Sequence, residues 1–120
     1  MRILEQCFRV YTEADRFEDM TLFYEGLQGV PCARRVKIAE TGVEAAKIGG
    51  VLLFGGSREA LDPVRHVDAI FYLDELDEFA VWLDANGAQI IHPPRTVTGG
   101  RNLTARHPDG LVVEYFQAAS

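Results

Sequence analysis

Glu114 stands inside an apolar run, Leu111-Val112-Val113-Glu114-Tyr115-Phe116. Strand alternation sets it between Val112 and Phe116 on one face, with Val113 and Tyr115 behind. A carboxylate so placed needs a partner or a proton. Two more carboxylates share faces with groups that do chemistry: Glu5 with Cys7 and Arg9, and Asp68 with His66, Ile70 and Tyr72. Were Glu5, Asp68 and Glu114 to converge, two chemistries follow. As oxygen donors they suit a hard divalent ion such as Mg²⁺, Mn²⁺ or Ca²⁺, with His66 as an added nitrogen donor. Without an ion, burial and mutual repulsion raise the pKa of at least one, giving a general acid or base for a proton next to a carbonyl. The plainer alternative for Glu114 is a wet sheet surface. For Glu5 and Asp68, both near strand starts, it is simple exposure.

Arg9 points to the same side as Glu5 by alternation, where it pairs with Glu5 or Asp68 or holds an anionic group of a ligand. Tyr11, Tyr72, Phe54 and Phe116 form either an aromatic wall for a flat or apolar ligand or ordinary core. Cys7 and Cys32 are not in a CxxC and read as free, partly buried thiols. His92 precedes Pro93-Pro94 at a strand end and reads as exposed and structural, and His107 falls in a turn. Gly99-Gly100-Arg101-Asn102 reads as a loop before a strand, which makes a poor phosphate cradle.

The elements that must position these groups occur twice in one order. The first set is a strand over 3–11, a helix from Thr12 with Asp15 three residues on, and strands over 32–38, 43–48 and 51–54. Phe17, Met20, Tyr24 and Leu27 make the helix's buried stripe, and Gly29 and Pro31 end it. The segment 57–64 reads as a surface connection. The second set is a strand over 66–73, a helix over about 74–86 ended by Gly87, and strands over 89–92, 101–106 and 111–117. Leu76, Phe79, Ala80 and Leu83 form the second helix's stripe. His107-Pro108-Asp109-Gly110 is a strong turn signal. Tyr24 and Gly29 echo Trp82 and Gly87, each aromatic five residues before its glycine. The repeat predicts two similar modules, about 1–58 and 65–118, in one domain.

The chain of 120 residues has a net charge of −6, which argues against a nucleic-acid partner and gives no polybasic signal for a membrane surface. No apolar run approaches the length of a membrane span, and the first eleven residues lack a signal-peptide block, so a cytoplasmic protein is expected.

Three stretches carry a family resemblance. Phe23-Tyr24-Glu25-Gly26-Leu27-Gln28-Gly29 looks like an FYxxxLG helix end. Leu73-Asp74-Glu75-Leu76-Asp77 is followed by Trp82-Leu83-Asp84-Ala85-Asn86-Gly87-Ala88. His107-Pro108-Asp109-Gly110-Leu111-Val112-Val113-Glu114 looks like DPDGxxxE. In this order and spacing, over nearly the whole chain, they resemble the vicinal oxygen chelate superfamily of glyoxalase I, the bleomycin-resistance proteins and the extradiol dioxygenases. The resemblance implies an α+β fold of two βαβββ modules forming a curled, cup-like mixed sheet with helices outside. It also implies ligand positions on the first and fourth strands of each module, which fall on Glu5, Asp68 and Glu114. The fourth falls within Val51-Leu52-Leu53-Phe54, where no donor exists. Carboxylates in place of histidines favour Mg, Mn or Ca over Zn, Ni or Fe, or no cofactor at all. They argue against glyoxalase I and against extradiol dioxygenases, which use two histidines and one carboxylate.

Three functions follow from the resemblance. One is a lyase or isomerase acting on a small molecule in the cup, with Glu114, Glu5 and Asp68 catalytic or metal-bound and Arg9, Tyr72, Phe54 and Phe116 on the substrate. The alternative is a protein of the bleomycin-resistance type that sequesters a drug or metabolite, with the acidic charge suiting a cationic drug. A third is a subunit that keeps the fold for assembly only. Homodimerisation is expected in each case, because relatives cover their sheet edges by pairing.

Overall fold

The computed structural model describes all residues from Met1 to Ser120. It is α+β and divides into two compact units. One comprises residues 7–66, and the other residues 1–6 with 67–120. Strand β1, Ile3–Glu13, contributes residues to both.

The unit of residues 7–66 holds α1 (Phe17–Gln28), β2 (Arg34–Lys37), β3 (Glu44–Ile48), β4 (Val51–Gly56) and the short α2 (Arg58–Leu61) beside its part of β1. Its strand order is β2-β3-β4-β1, with β1 parallel to β4 and the other neighbours antiparallel. Pairing with β4 draws β1 on to Glu13, through Tyr11↔Phe54 and Thr12↔Gly55. The helix expected from Thr12 therefore starts later, after a 3-10 turn at Ala14–Arg16, and no capping side chain bonds its start. Phe17 packs with Ala46, Ile48, Val51 and Leu53, and partly buried Met20 and Tyr24 join them. Gly55 permits this, since a Cβ there would lie 2.5 Å from the Phe17 ring. Thr21, fully buried, donates its hydroxyl to the Phe17 carbonyl. Leu27, expected in the stripe, is 68% exposed instead. The connection over 57–64 is more than surface: Ser57 caps α2 by accepting from Ala60 N, and Leu61 is 1% exposed.

The other unit holds β5 (Ala69–Leu73), α3 (Leu76–Ala85), β6 (Gln89–Val97), β7 (Gly100–Arg106) and β8 (Val112–Ala118). Its order is β5-β8-β7-β6, with β5 parallel to β8 and the rest antiparallel. One sheet face carries Leu103, Ala105, Val113 and Tyr115 against Leu76, Phe79 and Leu83 of α3. Strand β6 runs past Pro93-Pro94, beyond the strand end expected at His92. The prolines fit because β6 is at the edge of this order and its ladder shifts register between His92 and Arg95. Gly100 fixes the start of β7, because a Cβ there would sit 2.2 Å from the Gln117 carbonyl oxygen.

Tyr115 carries a polar handle in this core. Its hydroxyl lies 2.6 Å from His107 Nε2, and burial pushes its pKa up to about 12. The phenol stays neutral, and its hydroxyl and the imidazole share one hydrogen bond. The raised value sets a sign: the contribution is whole below the ordinary phenol range near 10 and is lost as pH rises through about 12. Urea unfolding between pH 9 and 12 is expected to show stability falling more steeply for the native chain than for Tyr115→Phe. Equal slopes would remove Tyr115 as the cause. Leu103→Ala, at a position with no exposure, is expected to cost about 3 kcal/mol in the same assay; a loss below about 1 kcal/mol would show that this core is not close-packed.

Candidate functional site

The face of the β5–β8–β7–β6 sheet opposite α3 carries a different set of side chains. The register sets them in two rows. Ile70, Glu114, Thr104 and His92 make one row, and Tyr72, Phe116, Asn102 and Arg95 the next. Glu114 and Asn102 are each 9% exposed and Thr104 6%. Asn102 Nδ2 donates to Glu114 Oε2 at 2.8 Å, a diagonal contact between rows. A carboxylate accepts only, so the amide must turn its NH₂ toward Glu114 and its Oδ1 away. That Oδ1 is buried and has no hydrogen-bond partner.

The third polar group follows from tautomer chemistry. His92 Nδ1 lies 3.0 Å from the Pro93 carbonyl oxygen, and Nε2 lies 2.8 Å from Thr104 Oγ1. With one ring proton, that proton belongs on Nδ1, because a carbonyl cannot donate. Thr104 then donates its hydroxyl hydrogen to Nε2, which leaves its oxygen an acceptor. Tyr72 and Phe116 stand beside this group with ring centroids 5.9 Å apart at 78°. His92 is half-buried and tied into the polar row, where sequence reading had it exposed at a strand end. Asn102, in the strand expected over 101–106 and at the end of the Gly99–Asn102 loop, belongs to β7. The signal that could have found both is β7's own alternation: Asn102 and Thr104 share the face of Glu114 once Gly100 begins the strand.

The other candidates fall as follows. Glu5 is exposed on β1. Asp68 is exposed and engaged with the backbone: its Oδ2 accepts from Val112 N at 2.9 Å, while its own N–H donates to the Val112 carbonyl at 2.8 Å. It fastens the entry of β5 onto β8. His66 is exposed in the turn before β5. No group of three His, Cys, Asp or Glu side chains stands close enough to hold an ion. Glu5, Asp68 and Glu114, with His66, on which a divalent metal was expected, do not form such a group. Glu114 is the one of them that is buried.

In the unit of residues 7–66, Arg9, Tyr11 and Phe54 form their own cluster. The Arg9 guanidinium stands 4.3 Å from the Phe54 ring centroid and 5.5 Å from that of Tyr11. The two rings stack at 5.6 Å and 17°, and the Tyr11 hydroxyl donates to the Val64 carbonyl at 2.9 Å. Cation–π contacts of this kind stabilise by about 0.5–2 kcal/mol, so this half-buried arginine is held in place by the rings it covers. Cys7 and Cys32 are free thiols, buried and half-buried.

No protein-family model matches the chain, and no curated protein does. Among solved structures, an uncharacterized protein from Methanosarcina mazei is 46% identical over 99% of this chain and 95% of its own, with a TM-score of 0.88. Methylmalonyl-CoA epimerase from Mycobacterium tuberculosis is 17% identical over 98% and 90%, with a TM-score of 0.68. A variant of the Streptomyces coelicolor methylmalonyl-CoA epimerase, in complex with 2-nitronate-propionyl-CoA, is 19% identical over 100% and 96%, with a TM-score of 0.68. The two epimerases carry the vicinal oxygen chelate fold, and the likeness to them is one of fold.

Proposed function

From the premise that this chain belongs to the family of the Methanosarcina mazei protein and has the vicinal oxygen chelate fold, we propose that it binds a small molecule over the face that carries Glu114 and moves a proton on it. The buried Glu114 carboxylate, oriented by Asn102 Nδ2, carries this reading. A carboxylate held in an apolar setting is a competent general base and, once protonated, a general acid. It would take a proton from a carbon next to a carbonyl and return it, the chemistry of an isomerase or a lyase. The fold-level likeness to epimerases supports this class without specifying a substrate.

The test is exchange in D₂O. The chain is incubated with methylmalonyl-CoA, propionyl-CoA, small 2-oxo acids and hydroxyketones, and loss of the proton beside the carbonyl is followed by NMR. At least one compound is expected to exchange, and Glu114→Gln to slow that exchange by about a hundredfold or more. Exchange unaffected by the substitution would remove Glu114 from the chemistry. Binding without any exchange would leave the sequestering alternative of the bleomycin-resistance type.

The proposal extends to a homodimer. Within the unit of residues 7–66, Phe8 is 72% exposed and Leu22 and Leu27 of α1 are 65% and 68% exposed, large apolar side chains that a second copy could cover. Sedimentation equilibrium is expected to return twice the mass of 13.4 kDa; a single-chain mass at micromolar concentration would refute it.

A further inference from the structure

Three polar groups of this face, Glu114, Asn102 and Thr104, present acceptor atoms. Asn102 has spent its donors' side on the carboxylate and turns a buried, unpartnered Oδ1 elsewhere. Thr104 directs its hydrogen to His92 Nε2, because His92 Nδ1–H is fixed by the Pro93 carbonyl. Glu114 itself is a carboxylate. A buried acceptor left without a donor costs roughly 1–3 kcal/mol, so the orphaned Oδ1 marks a place where a donor arrives from outside the chain.

From this we infer that the ligand presents N–H or O–H donors to Asn102 and Thr104, on a planar or cationic group such as an amidinium, a protonated amine or a primary amide, and not a carboxylate. The inference rests on the site proposed above and adds its specificity. Tyr72 and Phe116, in the row of Asn102, offer ring faces and edges to a flat group at the same spot. The cation of this row is Arg95, opposite Asn102 on β6 and exposed. It is the feature that would favour an anion instead. The buried acceptors outweigh it because a charge at an exposed edge is screened by solvent, whereas Asn102 Oδ1 and Thr104 Oγ1 are enclosed where unmet polarity costs most.

Three probes with one ring and different heads separate these outcomes: benzamidine, benzamide and benzoate. Each is titrated into the full chain and followed by ¹H–¹⁵N NMR, including the side-chain amide signal of Asn102. Benzamidine is expected to bind at least about tenfold more tightly than benzoate, with benzamide between them. Asn102→Ala is expected to bring benzamidine down to the level of benzoate. Thr104→Val, which keeps the shape and removes the hydroxyl, is expected to narrow the same preference should Asn102→Ala fail to fold. Benzoate binding as well as benzamidine, or a preference unchanged in both variants, overturns the inference while leaving the site in place. Failure of all three probes to shift any signal from this face overturns the site and the inference together.

Discussion

The pairing of β8 with β5 and β7 decides which side chains of its unit can meet a ligand. Side chains alternate with a period of two, so a slip of one residue would send Glu114, Asn102 and Thr104 under α3 and turn Val113, Tyr115 and Leu103 outward. The register is held from the far side of the sheet. Leu103, Ala105, Val113 and Tyr115 pack on Leu76, Phe79 and Leu83, and a slip would cost that whole cluster. Gly100 adds a steric stop, since only a residue without a side chain fits against the Gln117 carbonyl. The position of the carboxylate is thus set mainly by apolar packing that never touches it.

The same constraint explains why polar groups persist at buried places. Asn102, Thr104 and Glu114 face away from the apolar cluster, and each is buried enough that an unmade hydrogen bond would be costly. Two of their needs are met inside the chain, by Asn102 to Glu114 and by Thr104 to His92. One is not. A fully satisfied set would describe a rigid structural network. This set leaves one enclosed acceptor over, and the ligand proposed above is what would complete it.

The unit of residues 7–66 arranges its charge differently. Arg9 is covered by Phe54 and Tyr11, and the parallel register of β1 on β4 places these two aromatics side by side. Val10, Val51 and Leu53 occupy the other face, with Phe17 of α1. The two units therefore repeat one plan, apolar toward the helix and chemically varied away from it, while their varied faces have diverged. One is acceptor-rich and the other holds a cation over rings.

Much of this was legible in the order of residues. Alternation and glycine spacing gave two βαβββ sets, the burial of Leu76, Phe79 and Leu83, the turn at 107–110 and the face of Glu114, because each depends on neighbours within a few positions. The start of α1 was misplaced because β4, some forty residues away, extends β1 to Glu13. Leu27 was misassigned because its periodicity says only that a face is apolar, not that anything covers it. Spacing put Glu5, Asp68 and Glu114 at corresponding strand positions, and it could not show that Asp68 Oδ2 accepts from the Val112 backbone, a bond made across the pairing of two strands. The partners of Asn102 and His92 were not legible because hydrogen bonds between β6, β7 and β8 join them to Glu114 and Thr104. Local sequence determined which faces are apolar and where the chain turns. Only the tertiary structure decided which polar atoms are satisfied, because hydrogen bonds join residues that periodicity cannot relate.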